Sequence, residues 1–323
     1  PLVNRPLTEK KAPGSTLKMA CAMAGLETGT ITPNTLIQDL GAFTKAGVPY
    51  ARCWINSGRG SHGYVNVSHA LEVSCNYFFY ELAYRMGNYS DNTTLQSINT
   101  LNEYMAAFGL NKPTGIEIGE SNPNMASPQY KEYVVKWQNP NATSTQTRWT
   151  DGDTIRAFIG QSVNNFTTAH MNKYIATLAN GGTLYQMHLI NKVQSADGST
   201  SITTEPVIEN ITEFKQENLD AVHEGMLLVT QGSQGTLRNV FKNFPIDVAA
   251  KSGTAQEVLT KSSHTLFVAF APYDKPQISV SVMIPFGEAS SSPAAVVGRN
   301  IIGEYMGLNY EGENTNLDNV LAD

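Results

Sequence analysis

Apolar residues fall into short, separated runs along this chain, and each run predicts one element. Leu17, Met19, Ala20, Ala22, Met23 and Ala24 follow the turn Pro13-Gly14 and predict a helix from Ser15 to about Thr28, stopped by Gly29. From Val67 to Met86, Ala70, Leu71, Phe78, Phe79, Leu82 and Ala83 recur at helical spacing, with a break or fresh start around Ser74. Between these two stretches, residues 36–64 are Gly-rich and loop-like. Residues 111–155 are polar, carry Pro113, Pro123, Pro128 and Pro140, and read as an elaborated loop region. Ile155–Gly160 leads to a helix at about 167–179, closed by Asn180-Gly181-Gly182, and another helix spans 217–230. The last third changes character. Val248–Glu257, His264–Pro272 and Gln277–Pro285 are three runs rich in Val, Phe and Ile, the last two separated by Tyr273-Asp274-Lys275-Pro276. Short links between consecutive strands imply an antiparallel meander, covered on one face by a final helix at about 293–306. Helices segregated from an antiparallel sheet give an α+β fold. There is no internal repeat and no low-complexity segment.

Size and charge narrow the class. The chain has 323 residues, of which 41% are hydrophobic and only 15% charged, enough for a large core in a globular protein of two lobes. A net charge of −6 argues against nucleic acid, whose binders need a basic face. No window approaches the roughly 18 consecutive apolar residues of a membrane span. The opening Pro1-Leu2-Val3-Asn4-Arg5 has no secretory-signal pattern and reads as the start of a fragment. Cys21, Cys53 and Cys75 are odd in number, so a pure disulfide scaffold is excluded.

Three strings then supply chemistry: Ser15-Thr16-Leu17-Lys18, Ser74-Cys75-Asn76 and Lys251-Ser252-Gly253-Thr254. Ser15 sits at a predicted helix N-terminus, where unpaired N–H groups favour developing negative charge. Lys18, three residues on, shares its face and has the reach of a general base once its pKa is lowered by a neighbouring cation. Ser74 and Asn76 alternate across Cys75, so both can face one cleft while Cys75 points away. Lys251, Ser252 and Thr254 offer a cation and two hydroxyls suited to a free carboxylate, and Gly253 removes a side chain so that a peptide can lie against the strand edge. Taken singly, the strings also fit a helix cap with a surface lysine, a polar loop before the Tyr77-Phe78-Phe79-Tyr80 helix, and a strand with a Gly bulge. Together, in this order, S-x-x-K, S-x-N and K-[ST]-G are the signature of penicillin-binding proteins and class A β-lactamases.

Spaced by 59 and 177 residues, the strings make the chain resemble the transpeptidase domain of class B penicillin-binding proteins over nearly its whole length. The approach Asn4-Arg5 and Pro13-Gly14, the stretch Phe158-Ile159-Gly160-Gln161 and the strand His264–Pro272 are also similar to that family. The resemblance implies a penicillin-binding-protein/serine β-lactamase-like fold, an antiparallel sheet flanked by helices plus a mainly helical lobe. Residues 1–323 would form one transpeptidase domain. Its helical lobe would span about 19–215, and its α/β lobe about 1–18 and 216–310. The family's sheet includes strands before Asn4-Arg5, which are expected to be missing here together with the anchor and dimerisation regions, leaving an exposed edge. It further implies a serine-type D,D-transpeptidase of peptidoglycan biosynthesis that acylates itself on D-Ala-D-Ala stems, joins them to a neighbouring stem amine, and is a β-lactam target. Ser15 would be the nucleophile, Lys18 its base, Ser74 the proton relay and Lys251 a tuner of charge. Asn76, Ser252, Gly253 and Thr254 would bind substrate, and the N–H groups of Ser15 and Thr254 would form the oxyanion hole. Expected partners are peptidoglycan stem peptides, lipid-linked precursor and a glycosyltransferase of the cell-shape, elongation or division machinery. The expected location is the outer face of the bacterial plasma membrane. Cys75 replaces the Asp of S-D-N, and Ser252 the Thr of K-T-G.

Two other classes share parts of this signature. A β-lactamase needs a deacylating base, yet no Glu-x-x-Leu-Asn string is present, and Glu117 and Glu120 lie in a Gly-rich loop of different character. A β-lactam-sensing receptor domain would keep its ester. No cofactor is required for the chemistry. Asp39, Cys53, His62 and Cys75 form a plausible tetrahedral zinc set, and some elongation-type class B members are known for a metal at this place. A Cys53–Cys75 disulfide and two buried free thiols are the alternatives. Cys21 reads as core packing, and His69, His170, His188, His223 and His264 receive no role.

Overall fold

In the computed structural model, which describes residues 3–58, 60–87, 94–255, 262–287 and 292–308, a single turn α1 (Arg5–Thr8) precedes a 3₁₀ turn, Gly14–Leu17. That turn runs straight into α2 (Lys18–Glu27), in which every residue from Lys18 to Leu26 is buried. Helix α2 tolerates this because its side chains are small or flexible: Ala, Gly, Cys, Met and Leu pack from all sides without a polar face.

The stretch expected as a loop after α2 contains two small antiparallel ladders. Strand β1 (Ile37–Asp39) will pair with β4 (Gly63–Val65), and β2 (Ala42–Phe43) pairs with β3 (Ala51–Arg52), with a 3₁₀ turn at Trp54–Gly58 between. Strands of two or three residues are too short to display a period of two. The helical stretch at 67–86 is two helices, α3 (Val67–Glu72) and α4 (Asn76–Met86). They part at Ser74, whose φ of 53° no helix can contain.

Beyond α5 (Leu95–Ala107), the region expected as an elaborated loop is corrected by three helices, α6 (Pro128–Gln138), α7 (Ser144–Thr147) and α8 (Asp151–Ala157). The physical reason lies in their N-termini. Ser127 caps α6, Thr143 and Thr150 form capping boxes, and Pro128 occupies the first turn, where a missing N–H costs nothing. No residue of α6 is buried, although Tyr130, Tyr133, Val134 and Trp137 recur at helical spacing. Helix α9 (Thr168–Ala179) is as expected. Two hairpin-like pairs follow, β5 (Thr183–Tyr185) with β8 (Ile208–Ile211) and β6 (Lys192–Gln194) with β7 (Ser201–Thr203).

Helix α10 (Gln216–Gln231) leads to the sheet of the last third: β9 (Ala249–Ala255), β10 (His264–Ala271) and β11 (Ile278–Ile284). All pairs are antiparallel, in the order β11–β10–β9. The last expected positions of the first strand, Gln256 and Glu257, and the opening Pro1-Leu2 lie outside the described residues. Every residue of β10 is buried because both faces are covered, by α11 (Ser292–Tyr305) on one side and by α9 and α10 on the other. Strand β11, mostly half-buried, and β9 are the edges among the described residues. Burial of each large side chain such as Phe267 or Phe270 stabilises by about 1.5–3 kcal/mol. The fold is α+β. Among the described residues no helix is long and apolar enough to cross a membrane.

Candidate active site

The turn that carries Ser15 is held by two backbone approaches that only glycine permits. Gly14, at φ 53°, donates its N–H to Gly160 O at 2.9 Å; a Cβ on Gly160, at φ 71°, would lie 1.9 Å from Gly14 O. On the other side, a Cβ on Gly253 would meet Thr16 Cγ2 at 2.9 Å and Pro13 O at 3.2 Å. Gly253 thus lets β9 close on the turn that carries Ser15. The space its side chain would take is filled by that turn, while Gly253 also lines the cleft. Tyr174 Oη accepts from Ala20 N at 2.9 Å and fixes the junction where the 3₁₀ turn becomes α2.

Ser15 is half-buried at the mouth, and Lys18, the first residue of α2, is fully buried beneath it. Lys18 Nζ donates to Ser74 O at 2.9 Å, Ser74 Oγ at 3.2 Å and Asn76 Oδ1 at 2.7 Å, and lies 5.2 Å from the centre of the Phe79 ring. The left-handed backbone at Ser74 turns Ser74 and Asn76 to one cleft, while Cys75 faces away into the protein. Lys251, also fully buried, donates to Ser252 O at 3.0 Å. Ser15, Ser74, Asn76, Ser252, Gly253 and Thr254 line a single cleft of about 380 Å³. The three strings are therefore brought together.

Burial lowers the Lys18 amine to about 8, with the sulfurs of Cys75 and Cys53 opposing the shift. Burial, and then the charge of Lys18, hold Lys251 well below its usual value. The arrangement places a buried amine of lowered pKa against the Ser74 hydroxyl, groups of the kind that serine acyl transfer uses.

Five other residues line the cleft, Trp54, Ile159, Gln161, Thr236 and Ser292, and none of them receives a role from the sequence alone. Thr236 Oγ1 lies 3.1 Å from Ser252 Oγ, adding a third hydroxyl to the carboxylate side. Trp54, 52% exposed, walls the cleft and donates from Nε1 to Val73 O at 3.1 Å. Ile159 and Gln161 line it as well. Ile159 and Gln161 belong to the stretch Phe158–Gln161 whose family likeness is legible in the sequence, whereas Trp54, Thr236 and Ser292 reach the cleft from parts of the chain with no such signal.

Behind the second string, Asp39, Cys53, His62 and Cys75 bring one donor atom each within 4.8 Å of one another. Cys53 Sγ is 3.9 Å from Cys75 Sγ and 3.5 Å from His62 Nδ1, and Cys75 Sγ is 3.6 Å from Asp39 Oδ2. A tetrahedral zinc ion with ordinary bond lengths spaces two thiolates by about 3.8 Å, and a thiolate and a nitrogen or oxygen donor by about 3.5 Å. Three edges of the quartet already have those lengths. Another of its six edges, His62 Nδ1 to Asp39 Oδ2 at 2.7 Å, is a direct hydrogen bond. All three cysteines are free, and the Cys53–Cys75 separation far exceeds the roughly 2.05 Å of a disulfide. Against the cost of burial, hydrogen bonds from His62 and the Gly41 N–H hold Asp39 down at about 2. Hydrogen bonds to Asp39 and Cys53 raise His62 to about 9, also against burial. The hydrogen bond to Cys75 lowers Cys53, and burial raises Cys75.

Comparison with known proteins agrees with this geometry. The family described as penicillin binding protein transpeptidase domain matches residues 1–303. The peptidoglycan D,D-transpeptidase MrdA of Escherichia coli (strain K12) is 31% identical over 322 residues, 95% of this chain and 47% of that protein. MrdA of Haemophilus influenzae is 30% identical over 323 residues, 95% of this chain and 46% of that protein. The crystal structure of Pseudomonas aeruginosa PBP2 in complex with WCK 5153 is similar with a TM-score of 0.76 and 31% identity, covering 97% of this chain and 64% of that one. The chain spans about half the length of the curated relatives it matches.

Proposed function

The chain belongs to the penicillin-binding protein transpeptidase family, and from that premise we propose that its cleft is a peptidoglycan D,D-transpeptidase centre built on Ser15. The observation that carries the reading is the set of contacts made by the buried Lys18 amine, 2.7–3.2 Å from Asn76 and Ser74, directly under the nucleophile's turn. Neutral Lys18 takes the Ser15 proton as Oγ attacks the penultimate D-Ala carbonyl of a stem peptide. Ser74 relays a proton to the departing D-Ala amine. Asn76 holds the donor, and Ser252 and Thr254, with Thr236 beside them, grip the terminal carboxylate. The N–H groups of Ser15 and Thr254 receive the oxyanion. An amine from a second stem then attacks the ester. On this reading the helical lobe, about 19–215, and the α/β lobe, about 1–18 and 216–310, meet at the cleft. The active face would lie outside the plasma membrane, with a glycosyltransferase as partner.

A β-lactam enters the same path and stops at the ester. Among the described residues no glutamate lines the cleft to activate a deacylating water. Wild-type protein should take up one equivalent of nitrocefin in a burst and then hydrolyse it slowly. Sustained multiple turnover would favour a β-lactamase instead.

We assign the quartet Asp39, Cys53, His62 and Cys75 to one structural zinc ion. Four protein donors leave no open position, so the metal would stabilise the fold there and take no part in acyl transfer. Its chemistry would be to pin Cys75, hence the backbone that orients Ser74 and Asn76. The Gly41 N–H on Asp39 Oδ1, at 2.7 Å, already orients one donor. Chelation or Cys75→Ser should lower the melting temperature by about 5 °C or more and slow Ser15 acylation roughly tenfold to a hundredfold. Freshly purified protein without metal by elemental analysis, with a Cys53–Cys75 disulfide by mass spectrometry, would overturn the assignment.

A further inference from the structure

Glu72 ends α3, two positions before Ser74, and is only 6% exposed. Among the described residues no lysine or arginine pairs with it, and His69 Nε2 stands 3.9 Å away. Burying a carboxylate without a full ion pair is costly, so stability alone does not account for it. Its Oε1 accepts from the Gln234 N–H at 2.9 Å. Gln234 belongs to the turn 232–236 that follows α10, where Ser233, Gln234 and Thr236 are exposed. The turn folds back through Gly235 N–H to Gly232 O at 3.1 Å. Glu72 reaches it because Gly232 has no side chain; a Cβ there would collide with Glu72 Oε1. Two residues beyond Gln234, Thr236 Oγ1 lies 3.1 Å from Ser252 Oγ, and both residues line the cleft. The base of this arrangement is firm. A Cβ on Gly225 of α10 would meet Leu71 Cβ at 2.9 Å and Ser68 Cα at 3.0 Å, so α3 and α10 are in close contact. Ser74 N–H donates to Leu71 O at 3.2 Å and joins the second string to the end of α3.

We propose that Glu72 is a positioning residue for recognition of the donor's terminal carboxylate: through the Gln234 N–H it fixes the turn 232–236, and so holds Thr236 Oγ1 beside Ser252 Oγ. The inference rests on the transpeptidase reading and deepens it. Glu72 does not line the cleft, so it acts only through the turn. A hydrogen bond from a backbone N–H to a carboxylate is among the strong ones, and burial shields this one from water. Without it the turn keeps only its own backbone bonds, and the distance between Thr236 and Ser252 is no longer set. Two hydroxyls held side by side can both donate to one carboxylate, whereas a hydroxyl on a loose turn must be ordered at each binding event.

The test compares second-order acylation rates on two thioester donors, N-benzoyl-D-alanyl-thioglycolate, which ends in a carboxylate, and its carboxamide. Their ratio reads recognition of the carboxylate, and a general loss of folded protein or of Ser15 reactivity cancels from it. Glu72→Ala should lower the ratio about tenfold, chiefly through the carboxylate donor. Glu72→Gln, whose amide oxygen can still accept from the Gln234 N–H, should keep most of it. Gln234→Pro removes the donor N–H at an exposed position and should match Glu72→Ala, which keeps the test decisive if Glu72→Ala does not fold. In a Thr236→Val background either change should lower the ratio no further. An unchanged ratio in Gln234→Pro, equal loss on both donors, or a full effect that persists in Thr236→Val would overturn the role. Failure of wild-type protein to be acylated by either donor would instead remove the transpeptidase reading on which it stands.

Discussion

Ser15→Ala should abolish covalent labelling by a fluorescent penicillin while leaving the melting temperature within about 1 °C of wild type. The side chain is half-buried and lines the cleft, so its loss leaves no large cavity and breaks no core packing. The turn that carries it is held by backbone contacts at Gly14, Gly160 and Gly253, none of which involves the Ser15 hydroxyl. The expected effect is therefore complete in chemistry and small in stability. Labelling that persists in this variant, or that maps to a peptide without Ser15, would remove the assignment.

Lys18→Arg should slow acylation by roughly a hundredfold to ten-thousandfold, the range of a lost general base. The pH profile makes the role specific. The working form of Lys18 is the neutral amine, and burial brings its pKa to about 8. Wild-type acylation should then rise with pH about tenfold per unit below 8 and level off above it, since deprotonation supplies the base. An arginine keeps the positive charge but does not deprotonate in this range, so the rising limb should vanish. A limb retained at the same pH in Lys18→Arg would assign the titration to another group, with Lys251, the other fully buried amine, the first to examine.

The chemistry was more legible in the sequence than the scaffold that frames it. Ser15 and Lys18 share a helical face at any spacing of three, and Ser74 and Asn76 alternate about Cys75, so local geometry alone predicts which side chains converge. The sheet was legible because β9, β10 and β11 are long apolar runs with a tight link between the last two. Helices α6, α7 and α8 were hidden for a physical reason. Helices α7 and α8 are only four and seven residues long, too short to display a period, and Pro128 reads as a breaker although at a first turn it starts α6. The signal was there in Ser127-Pro128 and in Thr150 followed by Asp153. The packing role of Gly253 was not legible, because the atoms that exclude its side chain belong to Pro13 and Thr16, far away in sequence. Trp54, Thr236 and Ser292 reach the cleft only through tertiary structure, and no spacing rule anticipates them.

The central claim is that Ser15 exchanges a terminal D-Ala for an amine through an ester. The most direct measurement incubates wild-type protein with a D-Ala-D-Ala-terminated stem peptide, follows free D-Ala, and maps the trapped adduct by peptide mass spectrometry. The account predicts D-Ala release together with one acyl group, the donor less its terminal D-Ala, on the peptide containing Ser15, discharged when an acceptor amine is added. D-Ala release with the acyl group on any other residue, or an adduct that amines never discharge, would contradict it.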